Sequence, residues 1–287
     1  MKAGDTYYAY ATNTADANVQ TLTSPDLVTW ESAPDAMPEL GSWAFTGKTW
    51  APEVLAVADD RYVLYYTANA AELGKQCIGR AVAKKPGGPY VDETEEPLLC
   101  QTDEGGSIDA SPFRDEDGSL YLLWKNDGNC CGLDTYLYSQ RLSDDGLELV
   151  GEPVQLVQQD EGWEAHLVEA PTLWREGDGL YLFFSANDYA SEHYAVGYAT
   201  CETPLGPCED AAENPILTTE CEAAGPGHQT LVRDAAGDTW IVYHAWPPDA
   251  VGSVLPGRVL WLDRVEWKDG KPDVVGPTCG PQPAPAG

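Results

Sequence analysis

The sequence predicts an all-β chain, a five-bladed β-propeller whose first blade lacks its innermost strand. Three observations predict it: one hairpin motif occurs five times, its copies are evenly spaced, and helical periodicity never persists beyond a turn or two. The copies read "GDTYYAYATN" from Gly4, "DDRYVLYYTAN" from Asp59, "EDGSLYLLWKND" from Glu116, "GDGLYLFFSAND" from Gly177 and "AGDTWIVYHAW" from Ala236. In each, a Gly/Asp turn leads into β-branched and aromatic residues, the composition of a strand leaving a tight turn. With Tyr7, Tyr62, Leu120, Leu180 and Trp240 as equivalents, the spacings are 55, 58, 60 and 60. A unit of that length holds about four strands, and four-stranded units repeated radially make a propeller. An ordinary β-sandwich has no such period.

Each blade is expected to begin with an inner strand just ahead of its hairpin: "TWAPEVL", "SIDASPF", "VEAPTLW" and "GPGHQTLV" in blades two to five. The hairpin returns the chain as a second strand, and Pro/Gly-rich turns such as those in "CIGRAVAKKPGGPYVD" and "AVGYATCETPLGPCED" join a third strand to a fourth. For the first blade the inner-strand position falls upstream of Met1. Residues 1–276 form one propeller domain in this reading, and the tail 277–287, "PTCGPQPAPAG", is too rich in Pro and Gly for a strand.

Composition narrows the function. The 287 residues carry 16 basic and 47 acidic side chains, a net charge of −31, which repels nucleic-acid phosphates and anionic lipid. The apolar runs are too short to cross a bilayer. These features point to a soluble monomer with a neutral ligand. Eight cysteines without a CxxC pair favour disulfides over zinc, and hence an oxidising, extracellular setting.

Two carboxylates stand out in otherwise apolar inner strands. Asp109 lies eleven residues before Leu120 and Glu169 eleven before Leu180, so consecutive blades present an acid at one register. Burying a charge there is costly unless it has a partner or faces a wet cavity, which marks both as candidate functional groups. The structural alternatives are a side-chain-to-backbone role for Asp109 beside Ser107 and Ser111, and an ion pair for Glu169. At the same register stand Ala51, flanked by Trp50 and Glu53, and Gly227, followed by His228. Asn13, Asn69, Asn126 and Asn187 close the second strands, with Trp124, Tyr189 and Trp246 nearby. Rings beside amides and carboxylates suit a sugar, whose C–H faces stack while its hydroxyls take hydrogen bonds.

In motif order the chain resembles glycoside hydrolase family 43, five-bladed propellers acting on arabinose- and xylose-containing saccharides. The motifs run from "GDTYYAYAT" through "TWAPEV", "SIDASPF", "VEAPTLW" and "GPGHQTLV" to "YHAW" and "GRVLWLDRVEW". The resemblance implies a glycosidase, of the arabinofuranosidase, xylosidase or arabinanase kind, that inverts configuration with three acidic residues. By similarity Glu169 is the general acid and Asp109 the carboxylate that orients it and raises its pKa. Trp50, Trp124, Asn126 and Arg258 are expected at the sugar. His228 matches a histidine near a channel ion, so no cofactor is required but a structural calcium in the central channel is expected.

Inversion also needs a base on the opposite side of the sugar, with the carboxyls roughly 6.5–9.5 Å apart. Similarity places that aspartate on the missing inner strand. Three readings stand: the chain is N-terminally truncated, which also accounts for the absent secretion signal; Asp16 or Asp35 substitutes; or catalysis is lost. In the last case the protein is a carbohydrate-binding propeller without hydrolytic activity.

Overall fold

The computed structural model describes residues 1–286 and is nearly all β. The strands assemble, among the described residues, into five separate antiparallel sheets, each built from strands consecutive in the chain. The first sheet is β1 (Lys2–Ala3), β2 (Thr6–Ala11), β3 (Gln20–Ser24) and β4 (Glu31–Ala33). The second holds β5 (Ala44–Ala58), β6 (Arg61–Ala70) and β7 (Lys75–Ala83). The third holds β8 (Ser107–Arg114), β9 (Leu120–Asn126), β10 (Tyr136–Leu142) and β11 (Leu149–Gln158). The fourth is β12 (Val168–Glu176), β13 (Gly179–Ala186), β14 (Ala195–Cys201) and β15 (Cys208–Asp210), and the fifth β16 (Ala224–Arg233), β17 (Thr239–Trp246), β18 (Val259–Lys268) and β19 (Lys271–Val275).

Each repeated motif is the hairpin joining the first two strands of its sheet. Ala3↔Thr6, Ala58↔Arg61, Arg114↔Leu120, Glu176↔Gly179 and Arg233↔Thr239 flank the five turns. β1 is a two-residue stub, whereas the other four first strands run 15, 8, 9 and 10 residues. The first sheet thus has only a trace of its inner strand. In the second sheet the outer strand is reduced to two isolated antiparallel bridges, Val82↔Val91 and Ile78↔Leu99.

The second strands explain the unbroken apolar runs. β6 is buried on both faces, because residues of the first sheet pack on one side of it and residues of the third sheet on the other. Two compact units divide the chain, Met1–Gln155 and a second beginning at Leu156. In the first, Tyr66, Leu64 and Met37 anchor one core cluster, and Tyr65, Leu122 and Trp124 another between the second and third sheets. In the second unit Phe183, Tyr198, Ile241 and Tyr243 form the core between the fourth and fifth sheets.

All eight cysteines are paired: Cys77–Cys100, Cys130–Cys131, Cys201–Cys208 and Cys221–Cys279. The tail is not a free linker. Cys279 ties it to Cys221, the Thr278 hydroxyl donates to Asp263 Oδ1 at 2.7 Å, and the Ala286 amide donates to Asp234 Oδ2 at 2.9 Å.

Candidate active site

Four of the five first strands carry the same irregularity. Pairing is interrupted between Trp50 and Glu53, Ile108 and Ser111, Glu169 and Thr172, and Gly227 and Thr230. In each strand two residues oppose one, a β-bulge, and the first of the two is left-handed: Ala51 (φ 43°), Asp109 (58°), Ala170 (54°) and His228 (50°). Non-glycine residues in this region cost of order 1–3 kcal/mol each, and such strain collects at functional sites.

The bulges correct the register expected from the sequence. Asp109 occupies the left-handed position, but Glu169 occupies the position before it, equivalent to Ile108. The reason is hairpin length: Arg114 pairs with Leu120, whereas Arg175 pairs with Leu180, one residue closer. Counting back from the second strand therefore shifts the two acids against one another. Opposite Trp50, Ile108, Glu169 and Gly227 lie Thr67, Lys125, Ser185 and His244, so the second strands contribute a polar residue at this level every time.

In the first unit Asp109 is buried, at 7% exposure, and its amide donates to Thr67 Oγ1 at 3.3 Å. Two residues beyond the equivalent left-handed Ala51 on β5 stands a carboxyl left without a role by the sequence, Glu53. The Ser111 hydroxyl donates to Glu53 Oε2 at 3.3 Å. Burial pushes the Glu53 pKa up to about 8, and the nearby Asp109 adds to the rise. At neutral pH Glu53 is mostly protonated. The signal was available: "TWAPEVL" sets a charge in an apolar strand just as "VEAPTLW" does.

Trp124 and Asn126 do not reach a sugar. Trp124 is fully buried in the core, stacked on Tyr138 at 5.4 Å, and its indole N–H donates to Gln101 Oε1 at 2.6 Å. Asn126 is buried and ties down the segment beyond its strand, donating to the carbonyls of Glu104 and Asp134 and accepting from the Tyr136 amide. Asn13 and Asn187 likewise hold backbone, at Thr49 and Trp163. An amide at a strand end terminates the ladder more cheaply than it waits for a ligand. Trp50 remains half-buried on β5, beside the bulge.

Of the two substitute bases, Asp35 has its carboxylate already engaged. The Asp35 carboxylate accepts three backbone N–H groups, from Asn18, Val19 and Met37, at 2.8–3.0 Å. Asp16 sits in an exposed turn organised by Thr14 Oγ1.

In the second unit Glu169 is half-buried and its Oε1 accepts the Tyr194 hydroxyl at 2.7 Å. The backbone beneath it is locked: Gln229 Nε2 donates to the Ala170 carbonyl at 2.9 Å, the Thr172 hydroxyl donates to the Gln229 carbonyl, and the Ser185 hydroxyl donates to Gln229 Oε1. Tyr194 is buried and lies parallel to His244, with ring centroids 5.8 Å apart and an interplanar angle of 10°. Arg258 Nη1 lies 3.0 Å from His244 Nε2. A guanidinium only donates, so Nε2 accepts and the imidazole proton sits on Nδ1. Burial first, then Arg258 and His228, hold the His244 pKa well below its usual value, so the ring is neutral. The Arg258 guanidinium also caps Tyr189 at 5.3 Å and Trp246 at 6.0 Å. Tyr189 is exposed, whereas Trp246 is buried and donates its N–H to the Tyr189 carbonyl. Tyr194 and His244 were missed because they lie 25 and 75 residues beyond Glu169, and no local spacing signals the contact.

His228, expected near a channel calcium, offers ring nitrogens rather than oxygens. Its ring neighbour is His244, 6.3 Å away, which carries the cationic Arg258. Calcium takes six to eight oxygens. Among the described residues the one group of three potential ligands is Glu220, Cys221 and Cys279, whose sulfurs form a disulfide.

Known proteins share this arrangement of sheets and motifs. Residues 1–272 match the model for glycosyl hydrolases family 43. The Beta-D-galactofuranosidase xynD of Aspergillus niger is 27% identical over 250 residues, covering 83% of this chain and 70% of that protein. A Beta-xylosidase of Bacillus subtilis is 28% identical over 303 residues, 96% of this chain and 54% of the relative. An extracellular endo-alpha-(1->5)-L-arabinanase of Thermotoga petrophila is 28% identical over 248 residues, 73% of this chain and 49% of the relative. The chain thus spans about half the length of these last two proteins. The crystal structure of a thermostable family-43 glycoside hydrolase superposes with a TM-score of 0.89 at 33% identity, covering 100% of this chain and 94% of that one. The five sheets are the blades of a five-bladed β-propeller, and the chain belongs to glycosyl hydrolases family 43.

Proposed function

We propose that this family-43 chain hydrolyses arabinosyl or xylosyl linkages in plant-type saccharides by single displacement, with Glu169 as general acid and Asp109 as the carboxylate that orients it. The observation that carries this reading is the placement of Glu169: a half-buried carboxyl on a locked β-bulge, engaged through one oxygen by Tyr194. A general acid works by protonating the leaving oxygen as the glycosidic bond breaks, so its carboxyl must hold a proton and point it in one direction. In this reading Asp109, buried at a left-handed backbone position, supplies the negative charge. Fixed charges favour the protonated form of a neighbouring acid. The base that activates water has no assigned residue in this reading.

Binding of the same saccharides without hydrolysis is the second reading, favoured by the engagement of the Asp35 carboxylate with the backbone of its loop. Hydrolysis of aryl arabinofuranoside and xyloside, followed by NMR of the product anomer, separates the two. The first reading expects inverted product and a loss of roughly 10²–10⁴-fold on unactivated saccharide in Glu169→Gln. Equal hydrolysis by the variant removes Glu169 from its role. Four disulfides and a relative named extracellular support secretion.

A further inference from the structure

We infer that Tyr194 is a positioning residue for Glu169, holding one carboxyl oxygen so that the acidic proton resides on the other. This rests on the reading of Glu169 as general acid. The Tyr194 hydroxyl donates to Glu169 Oε1 at 2.7 Å. An oxygen that accepts such a bond is the poorer site for a proton, so the acidic hydrogen is directed to Oε2.

The tyrosine itself has little freedom. One side of its ring is closed by Gly227, where a Cβ would fall 2.0 Å from Cε1. His244 stacks within 5.8 Å of the ring, and Arg258 fixes that imidazole through Nε2. Behind Tyr194, which precedes β14, stand neutral His244 on β17 with His228 beyond it on β16, and the Arg258 cation ahead of β18. The proposed role of Asp109 adds a negative charge that raises the Glu169 midpoint. Of this group, Tyr194 places its hydroxyl on the carboxyl. A phenol donor also stabilises the ionised carboxylate, so its removal raises the carboxyl's midpoint.

The test is Tyr194→Phe in the full chain, which keeps the ring and removes the hydroxyl. Expected are a fall in kcat of roughly tenfold or more on an unactivated pentoside, and a smaller effect on an aryl glycoside whose leaving group needs no proton. The alkaline limb of kcat/KM moves up by about one pH unit. Independently of turnover, the ¹³C-carboxyl signal absent from Glu169→Gln titrates about one unit higher in Tyr194→Phe than in the parent. Unchanged limb and unchanged titration overturn the role of Tyr194. If Glu169→Gln retains full activity, the failure belongs instead to the assignment of Glu169 as the acid.

Discussion

Gly227 and Tyr194 fit together only because residue 227 has no side chain: a Cβ there would sit 2.0 Å from Tyr194 Cε1 and 2.4 Å from Cδ1. The glycine is thus a steric requirement of the ring that holds Glu169. Its neighbour His228 carries the bulge, so the motif "GPGH" serves two adjacent purposes.

Gly227→Ala is expected to displace the Tyr194 ring and with it the hydroxyl on Glu169. Overpacking of a closed site costs about 1–3 kcal/mol, so Tm falls by several degrees. Because both changes act through one hydrogen bond, adding Tyr194→Phe costs much less kcat than it does alone. Additive losses in that double-mutant cycle would separate the glycine from the carboxyl.

Glu53 predicts a pH-dependent stability. Its folded pKa of about 8 stands above the ordinary 4.5, so the folded state holds a proton that the unfolded state releases. Its contribution is fully present below about pH 4.5 and is lost as pH rises through about 8. Glu53→Gln removes that dependence. Relative to the parent, its Tm is expected to improve progressively from pH 5 to pH 9, as followed by calorimetry.

His244 is held neutral by burial and by the Arg258 and His228 rings and charges beside it. Arg258→Ala removes one of these and is expected to raise the imidazole midpoint, measured by two-dimensional NMR of the ring protons. The same change uncaps Tyr189 and Trp246, and on the proposed role of Arg258 at the sugar, saccharide affinity is expected to fall alongside.

The disulfides are expected to contribute unequally. Cys221–Cys279 spans 58 residues and pins the tail, whereas Cys130–Cys131 closes no chain loop. On chain-entropy grounds, replacing the first pair by alanine costs about 4 kcal/mol, and replacing the second changes denaturant midpoints little.

Blade number, hairpin positions, the motif order and the two candidate acids were legible in the sequence. They are local quantities: a turn followed by β-formers reads the same in every blade, and a charge inside an apolar strand stands out against its immediate neighbours. Glu53 was legible by the same rule. Trp124 and Asn126 were misplaced, because composition at a strand end does not say which side of the sheet a ring occupies or whether an amide is already spent on backbone. Their partners Gln101, Glu104 and Tyr136 lie across turns whose paths the pattern leaves open.

By itself the sequence determined that strands form, in what order, and which acids interrupt them, since alternation, turn chemistry and repeat length act between near neighbours. Tertiary structure alone decided that Asp109 takes the left-handed bulge position of its strand whereas Glu169 takes the position before it in its own, and that Tyr194 and Gly227 converge on Glu169. A one-residue difference in hairpin length reverses a strand's faces, and contacts spanning tens of residues exist only once neighbouring sheets pack.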